Sequence, residues 1–104
     1  MTTPHPKYSI VVPIFNEEEI VPEMHRRMSA MLDGLDGPSE LILVNDGSRD
    51  RSLEIMRELA ARDPRLKVIS FSRNFGHQMA ITAGIDHAAG DAVVVIDSDL
   101  QDPP

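Results

Sequence analysis

Cysteine is absent from the 104 residues of this chain. That excludes disulfides, thiolate nucleophiles and cysteine-ligated zinc, and it agrees with a reducing compartment. Positive charge is scarce: 10 Lys and Arg stand against 17 Asp and Glu, a formal net charge of −7. No nucleic-acid partner is expected, because gripping a phosphate backbone takes a basic face. No apolar run approaches the roughly 18 residues that span a bilayer. The start, Met1–Lys7, is short and polar with no apolar h-region, so no signal peptide is read there. The segment is expected to be soluble in itself. Internal repeats and low-complexity stretches are lacking too.

What is present is an ordinary globular composition, 41% hydrophobic and 26% charged, which suits one domain or part of one. Strand and helix patterns alternate. Tyr8–Ile14, rich in β-branched residues, reads as a strand. In Glu17–Leu35 the residues Ile20, Met24, Met28, Met31 and Leu35 fall near helical spacing, with acids in the first turn, where they suit a helix dipole. Pro22 fits that helix only in its first turn. Glu40–Asn45 is a second strand and Asp50–Arg62 a second helix, carried by Leu53, Met56 and Ala60. Leu66–Phe71 is a third strand. Gly76–Ala89 is a third helix with Gly90 as its stop, and Ala92–Ile96 is a fourth strand. Such repeats imply parallel strands joined by right-handed crossovers. The expected fold class is therefore α/β, a doubly wound, mostly parallel sheet.

Parallel strands bring all their C-terminal ends to one edge, where open α/β sheets bind ligands. Four polar segments fall there: Pro13–Glu17, Asn45–Ser48, Ser72–Gly76 and Asp97–Gln101. In an extended segment Asp97 and Asp99 point to one side. Both carboxylates could then hold a hard cation such as magnesium or manganese, or they could simply solvate a strand end. Asp is common enough here that about one Asp-x-Asp arises by chance. Asp46 either belongs to an ordinary Asp-Gly turn, with Ser48 or Asp50 capping the next helix, or accepts hydrogen bonds from a base or ribose. Glu17 has a plain role as a charge at a helix start. Arg73 meets a phosphate or pairs with a surface acid. His77 and Gln78 read as a solvated helix start, His5, His25 and His87 as isolated, and the Met24, Met28 and Met31 stripe as core.

Together, "SIVVPIFNEEE", "LILVNDGSRDRSLEIM" and "SRNFGHQMAITAGIDHAAGDAVVVIDSDLQDPP", in that order, resemble the N-terminal half of a glycosyltransferase family 2 domain. Arg73-Asn74-Phe75-Gly76 and Asp99-Leu100-Gln101-Asp102-Pro103-Pro104 carry a narrower likeness, to the polyprenyl-phosphate sugar transferases. The resemblance implies a Rossmann-like GT-A nucleotide-binding half with strand order 3-2-1-4. It implies that Pro13, Phe15 and Glu17 line the nucleotide pocket, that Val44 and Asp46 receive the base, and that Asp97, Ser98, Asp99 and Gln101 form the metal and diphosphate segment. Asp97 and Asp99 would be the catalytic pair, and Asp97, Asp99 and Gln101 would hold a divalent cation, Mn or Mg. The implied donor is a UDP- or GDP-linked sugar, the implied acceptor a polyprenyl phosphate, and the implied setting the cytoplasmic side of a membrane; a homo-oligomer is left open.

The family continues past this length, so residues 1–104 are expected to be a truncated donor-binding part, inactive alone, with Val93–Ile96 left as an exposed sheet edge. Two rivals stand beside this reading. One is a non-catalytic nucleotide-binding fragment. The other is a receiver-like magnesium-binding signalling module, which would want an acidic pair after the first strand instead of Pro-Ile-Phe-Asn-Glu.

Overall fold

The computed structural model describes residues 5–98. Its elements run β1 (Tyr8–Ile14), α1 (Val21–Asp33), β2 (Ser39–Asn45), α2 (Ser52–Arg62), β3 (Leu66–Ser70), α3 (His77–His87) and β4 (Ala92–Val95). The four strands are parallel in the order β3-β2-β1-β4. This is the expected doubly wound α/β sheet, with the expected strand order. In a receiver-type sheet the first strand lies between the second and third; here it lies between β2 and β4.

Strand side chains alternate between faces, and each face has its own core. Ile10, Val12 and Ile14 of β1 join Leu41 and Leu43 of β2 under α1 and α2, against Val21, Met24, Met28, Leu32, Met56 and Leu59. On the other face Val11, Ile42 and Val44 meet Ala80 of α3. Gly84 lets α3 sit close: a Cβ there would lie 2.3 Å from Val11 Cγ1.

Several boundaries differ from the sequence expectation. The first helix begins at Val21, because Pro22 must stand in its opening turn. Residues 17–20 form a turn in which the Glu17 carbonyl accepts the N–H groups of Ile20 and Val21. Glu17 is thus not a first-turn dipole charge; Glu23 has that place. The buried stripe of α1 is Val21, Met24, Met28 and Leu32, which leaves Met31 exposed. Gly90 is not the stop of α3: Ala88 turns extended and ends it. Gly90 is required for another reason, since a Cβ there would lie 2.5 Å from Ser9 Oγ and 2.7 Å from Ser9 N.

Pro13 sits inside β1, paired with Val44 of β2. Its missing N–H faces the β4 side, two residues past Val11, whose carbonyl accepts the Ile96 N–H. By then β4 has ended at Val95, so no ladder bond is lost. As the borders of the described sheet would suggest, Val93, Val94 and Val95 are all exposed.

Candidate functional site

The loops after β1, β2 and β3 are stitched together by side chains that satisfy one another's backbone. Asn16, with φ 50°, is in the left-handed region that asparagine tolerates better than most residues. Its N–H donates to Ser48 Oγ (2.9 Å), and its Oδ1 accepts the Arg49 N–H (2.7 Å). The Glu17 N–H donates to the buried Ser52 Oγ (2.8 Å) and the Glu18 N–H to Asp50 Oδ2 (3.1 Å). Asp50 Oδ1 also accepts the Ser52 N–H at 2.9 Å. Asn45 is buried. Its Oδ1 accepts the Ser48 N–H (3.0 Å) and its Nδ2 donates to Ser70 Oγ (3.0 Å), so both ends of the amide are used.

The third loop is clasped by Asp46. Its Oδ1 accepts the Phe75 N–H (2.8 Å), and its Oδ2 accepts the Gly76 N–H (3.1 Å) and Asn74 Nδ2 (3.1 Å). Gly47 makes the close approach possible, with φ 72° and a would-be Cβ 2.2 Å from the Arg73 carbonyl carbon. Gly76 has φ 104°, a conformation open to glycine and strained for L-residues. It turns the chain into α3 at His77. The Arg73 guanidinium lies over the Phe75 ring, 4.6 Å from the centroid.

These loops and the end of β4 enclose an open cleft of about 470 Å³, lined by Pro13, Ile14, Phe15, Glu17, Asp46, Asn74, Gly76, His77, Asp97 and Ser98. It lies on the C-terminal edge of the sheet, where β1 neighbours both β2 and β4. That is the switch point at which such sheets bind ligands. The Ser98 hydroxyl donates to Glu17 Oε2, and Glu17 Oε1 accepts the Phe15 N–H at 3.3 Å. Asp97 is open, with 74% of its side chain exposed and its Oδ1 3.9 Å from His77 Nε2.

Of the residues singled out in the sequence, Pro13, Phe15, Glu17, Asp46, Asp97 and Ser98 line this one cleft. Val44 does not; it is fully buried in the core beneath α3. Asp99 and Gln101 lie outside the described residues. Asn74, named only as part of the third loop, and His77, read as a solvated helix start, line the cleft as well. Their signal was the position of the third loop on the ligand edge, combined with Gly76, which aims the residue after it. Away from the cleft, His25 is not isolated: its Nε2 lies 2.9 Å from Asp63 Oδ2, a residue held in turn by Arg65.

A model of the family "Glycosyl transferase family 2" matches residues 9–104. A Bacillus subtilis (strain 168) protein, "Uncharacterized glycosyltransferase YkcC", is 59% identical over 100 residues, 96% of this chain and 31% of that protein. The bactoprenol glucosyl transferase of Shigella phage SfV is 46% identical over 97 residues, 93% of this chain and 32% of its own. The chain therefore spans about a third of the length of these relatives. Among solved structures, the mannosyltransferase PcManGT from Pyrobaculum calidifontis, in complex with GDP-Man and Mn2+, superposes with a TM-score of 0.80 at 25% identity, over 98% of this chain and 30% of that one. S. aureus TarS 1-349 in complex with UDP-GlcNAc gives 0.76 at 28% identity, over 89% of this chain and 26% of that one.

Proposed function

Because the chain belongs to glycosyl transferase family 2, we propose that it is the donor-binding part of an inverting transferase that moves a sugar from a nucleoside diphosphate sugar to a polyprenyl phosphate. The observation that carries this reading is the convergence of Glu17, Asp46, Asp97 and Ser98 with Pro13 and Phe15 on one switch-point cleft. The named ligands of the two solved relatives, GDP-Man and UDP-GlcNAc, support a donor of this class. The bactoprenol glucosyl transferases among the relatives support the acceptor.

Each residue then has a task. Pro13 and Phe15 supply an apolar wall for the nucleoside. Asp46 receives the base side and, by holding Phe75 and Gly76, keeps the opposite wall in place. Val44 supports that end of the cleft from the core. Glu17 holds Ser98 and so fixes the residue beside Asp97. The donor chemistry fits a hard divalent cation: the Asp97 carboxylate is open to the cleft, and oxygen ligands suit Mg or Mn. Asp99 and Gln101 would complete the set. Bound there, the cation would neutralise charge growing on the nucleoside diphosphate leaving group. A lipid phosphate is already anionic near neutral pH, so it needs orientation and no strong general base.

This assignment makes residues 1–104 a donor-binding part, in a chain that spans about a third of the length of its relatives. It sets transfer at the cytoplasmic side of a membrane, where nucleotide sugar and lipid phosphate meet. No helix among the described residues is long and apolar enough to cross a membrane. The chain alone is then expected to bind nucleotide weakly, with metal, and to transfer no sugar. Calorimetric titration of UDP- and GDP-sugars with manganese tests the site in the parent, Asp97→Ala and Asp99→Ala. Metal-dependent binding should fall about tenfold or more in each variant. Variants that bind donor and metal like the parent would sink the metal assignment.

A further inference from the structure

Among the described residues lining the cleft, His77 is the one side chain able to carry positive charge; the other ionisable groups are the acids Glu17, Asp46 and Asp97. A nucleoside diphosphate brings further negative charge into that setting. Two of the acids are already engaged by the chain itself. Asp46 holds the Asn74–Gly76 loop, and Glu17 takes the Ser98 hydroxyl and the Phe15 N–H. Asp97 and His77 remain as the two open groups, and they face each other. At 3.9 Å between Nε2 and Oδ1 the pair is beyond hydrogen-bond length, which leaves Nε2 within reach of a third party.

The position of His77 is not accidental to the fold. Asp46 clamps the preceding backbone, and Gly76, at φ 104°, turns it so that His77 opens α3 on the cleft. The first N–H groups of a helix have no partner within it, and no side chain caps this one. The same end of the cleft therefore carries the positive pole of α3. Imidazole is a poorer match than oxygen for Mg or Mn, and no cluster of three His, Cys, Asp or Glu that could hold a metal is present among the described residues. Phosphate oxygen is the better partner. Pro13, Phe15 and Asp46 take the base end in the reading above and Asp97 the cation end; the His77 ring, 3.9 Å from Asp97, stands toward the cation end, where the phosphate farther from the base would lie.

We propose that His77 binds the sugar-bearing phosphate of the donor, across from Asp97. The inference rests on the donor-site reading. It makes His77 a binding residue that separates nucleoside diphosphates from monophosphates, which Pro13, Phe15 and Asp46 alone would not do.

The test titrates UDP, UMP, GDP and GMP with manganese into the 104-residue chain, His77→Ala and His77→Gln, with circular dichroism to show that each is folded. His77→Ala should weaken UDP and GDP about tenfold and leave UMP and GMP nearly unchanged. His77→Gln keeps an N–H donor and should recover part of the loss. Unchanged diphosphate binding in His77→Ala overturns the inference alone, and so does an equal loss for mono- and diphosphates. A parent that binds none of the four overturns the donor-site reading, and the inference with it.

Discussion

The Ser98 hydroxyl donates a hydrogen bond to the Glu17 carboxylate across a sequence separation of 81 residues. It joins the end of β4 to the loop after β1. Ser98 is buried while its neighbour Asp97 is open, so the bond anchors the segment whose adjacent carboxylate faces the cleft.

Ser98→Ala leaves Glu17 Oε2 without that donor. An unsatisfied, partly buried carboxylate oxygen costs about 1–3 kcal/mol, so thermal unfolding should shift down by several degrees. Manganese-dependent nucleotide binding should weaken as well, because Asp97 loses its anchor. A variant with parent-like melting and binding would mean that the bond positions nothing.

Gly84→Ala sets two effects against each other. Alanine gains about 1 kcal/mol of helix propensity over glycine. Its Cβ, however, would lie 2.3 Å from Val11 Cγ1 and 3.2 Å from Val44 Cγ2, in a core with no slack, and overpacking of this kind costs about 1–3 kcal/mol. The clash should win, and the urea midpoint should fall. A midpoint at or above the parent's would show that α3 packs less closely on β1.

Glu40 gives a pH dependence. Its carboxylate is buried, and burial alone would raise its pKa. Lys67 Nζ at 2.6 Å, Ser9 Oγ at 2.5 Å and the Ala89 N–H at 2.7 Å outweigh that and hold it below the usual glutamate range. The native state therefore binds this proton less readily than the unfolded chain does. The stabilisation is fully present above the ordinary value of about 4.3 and is lost as pH falls through the lowered folded value. Glu40→Gln should be less stable than the parent at pH 7, and the gap should narrow in urea titrations taken down to about pH 3. A gap independent of pH would remove the charge from the account.

Much of the fold is legible in the sequence. The apolar runs Tyr8–Ile14 and Glu40–Asn45 are strands because β-branched residues buried on both faces leave few alternatives. Their alternation with helical spacings implied a parallel sheet. Boundaries were less legible. Reading Ile20, Met24, Met28 and Met31 as one stripe placed α1 a turn too early, because periodicity tolerates a shift of register and only the packing of Val21 and Leu32 decides it. His25 looked solitary for a related reason: Asp63 is 38 residues away, and no local pattern links them.

The sequence by itself determined the fold class, the strand order implied by family resemblance, and the sheet edge on which the cleft lies. It also named most of the cleft, since Pro13, Phe15, Glu17, Asp46, Asp97 and Ser98 each follow a strand or close one. Tertiary structure alone decided what those side chains do. A carboxylate after a strand can cap a loop, grip another strand's end or stay open, and all three occur here: in Asp46, Glu17 and Asp97 in turn. The choice depends on which N–H and O–H groups the fold brings within about 3 Å. Those groups come from loops tens of residues apart, so no local pattern encodes them.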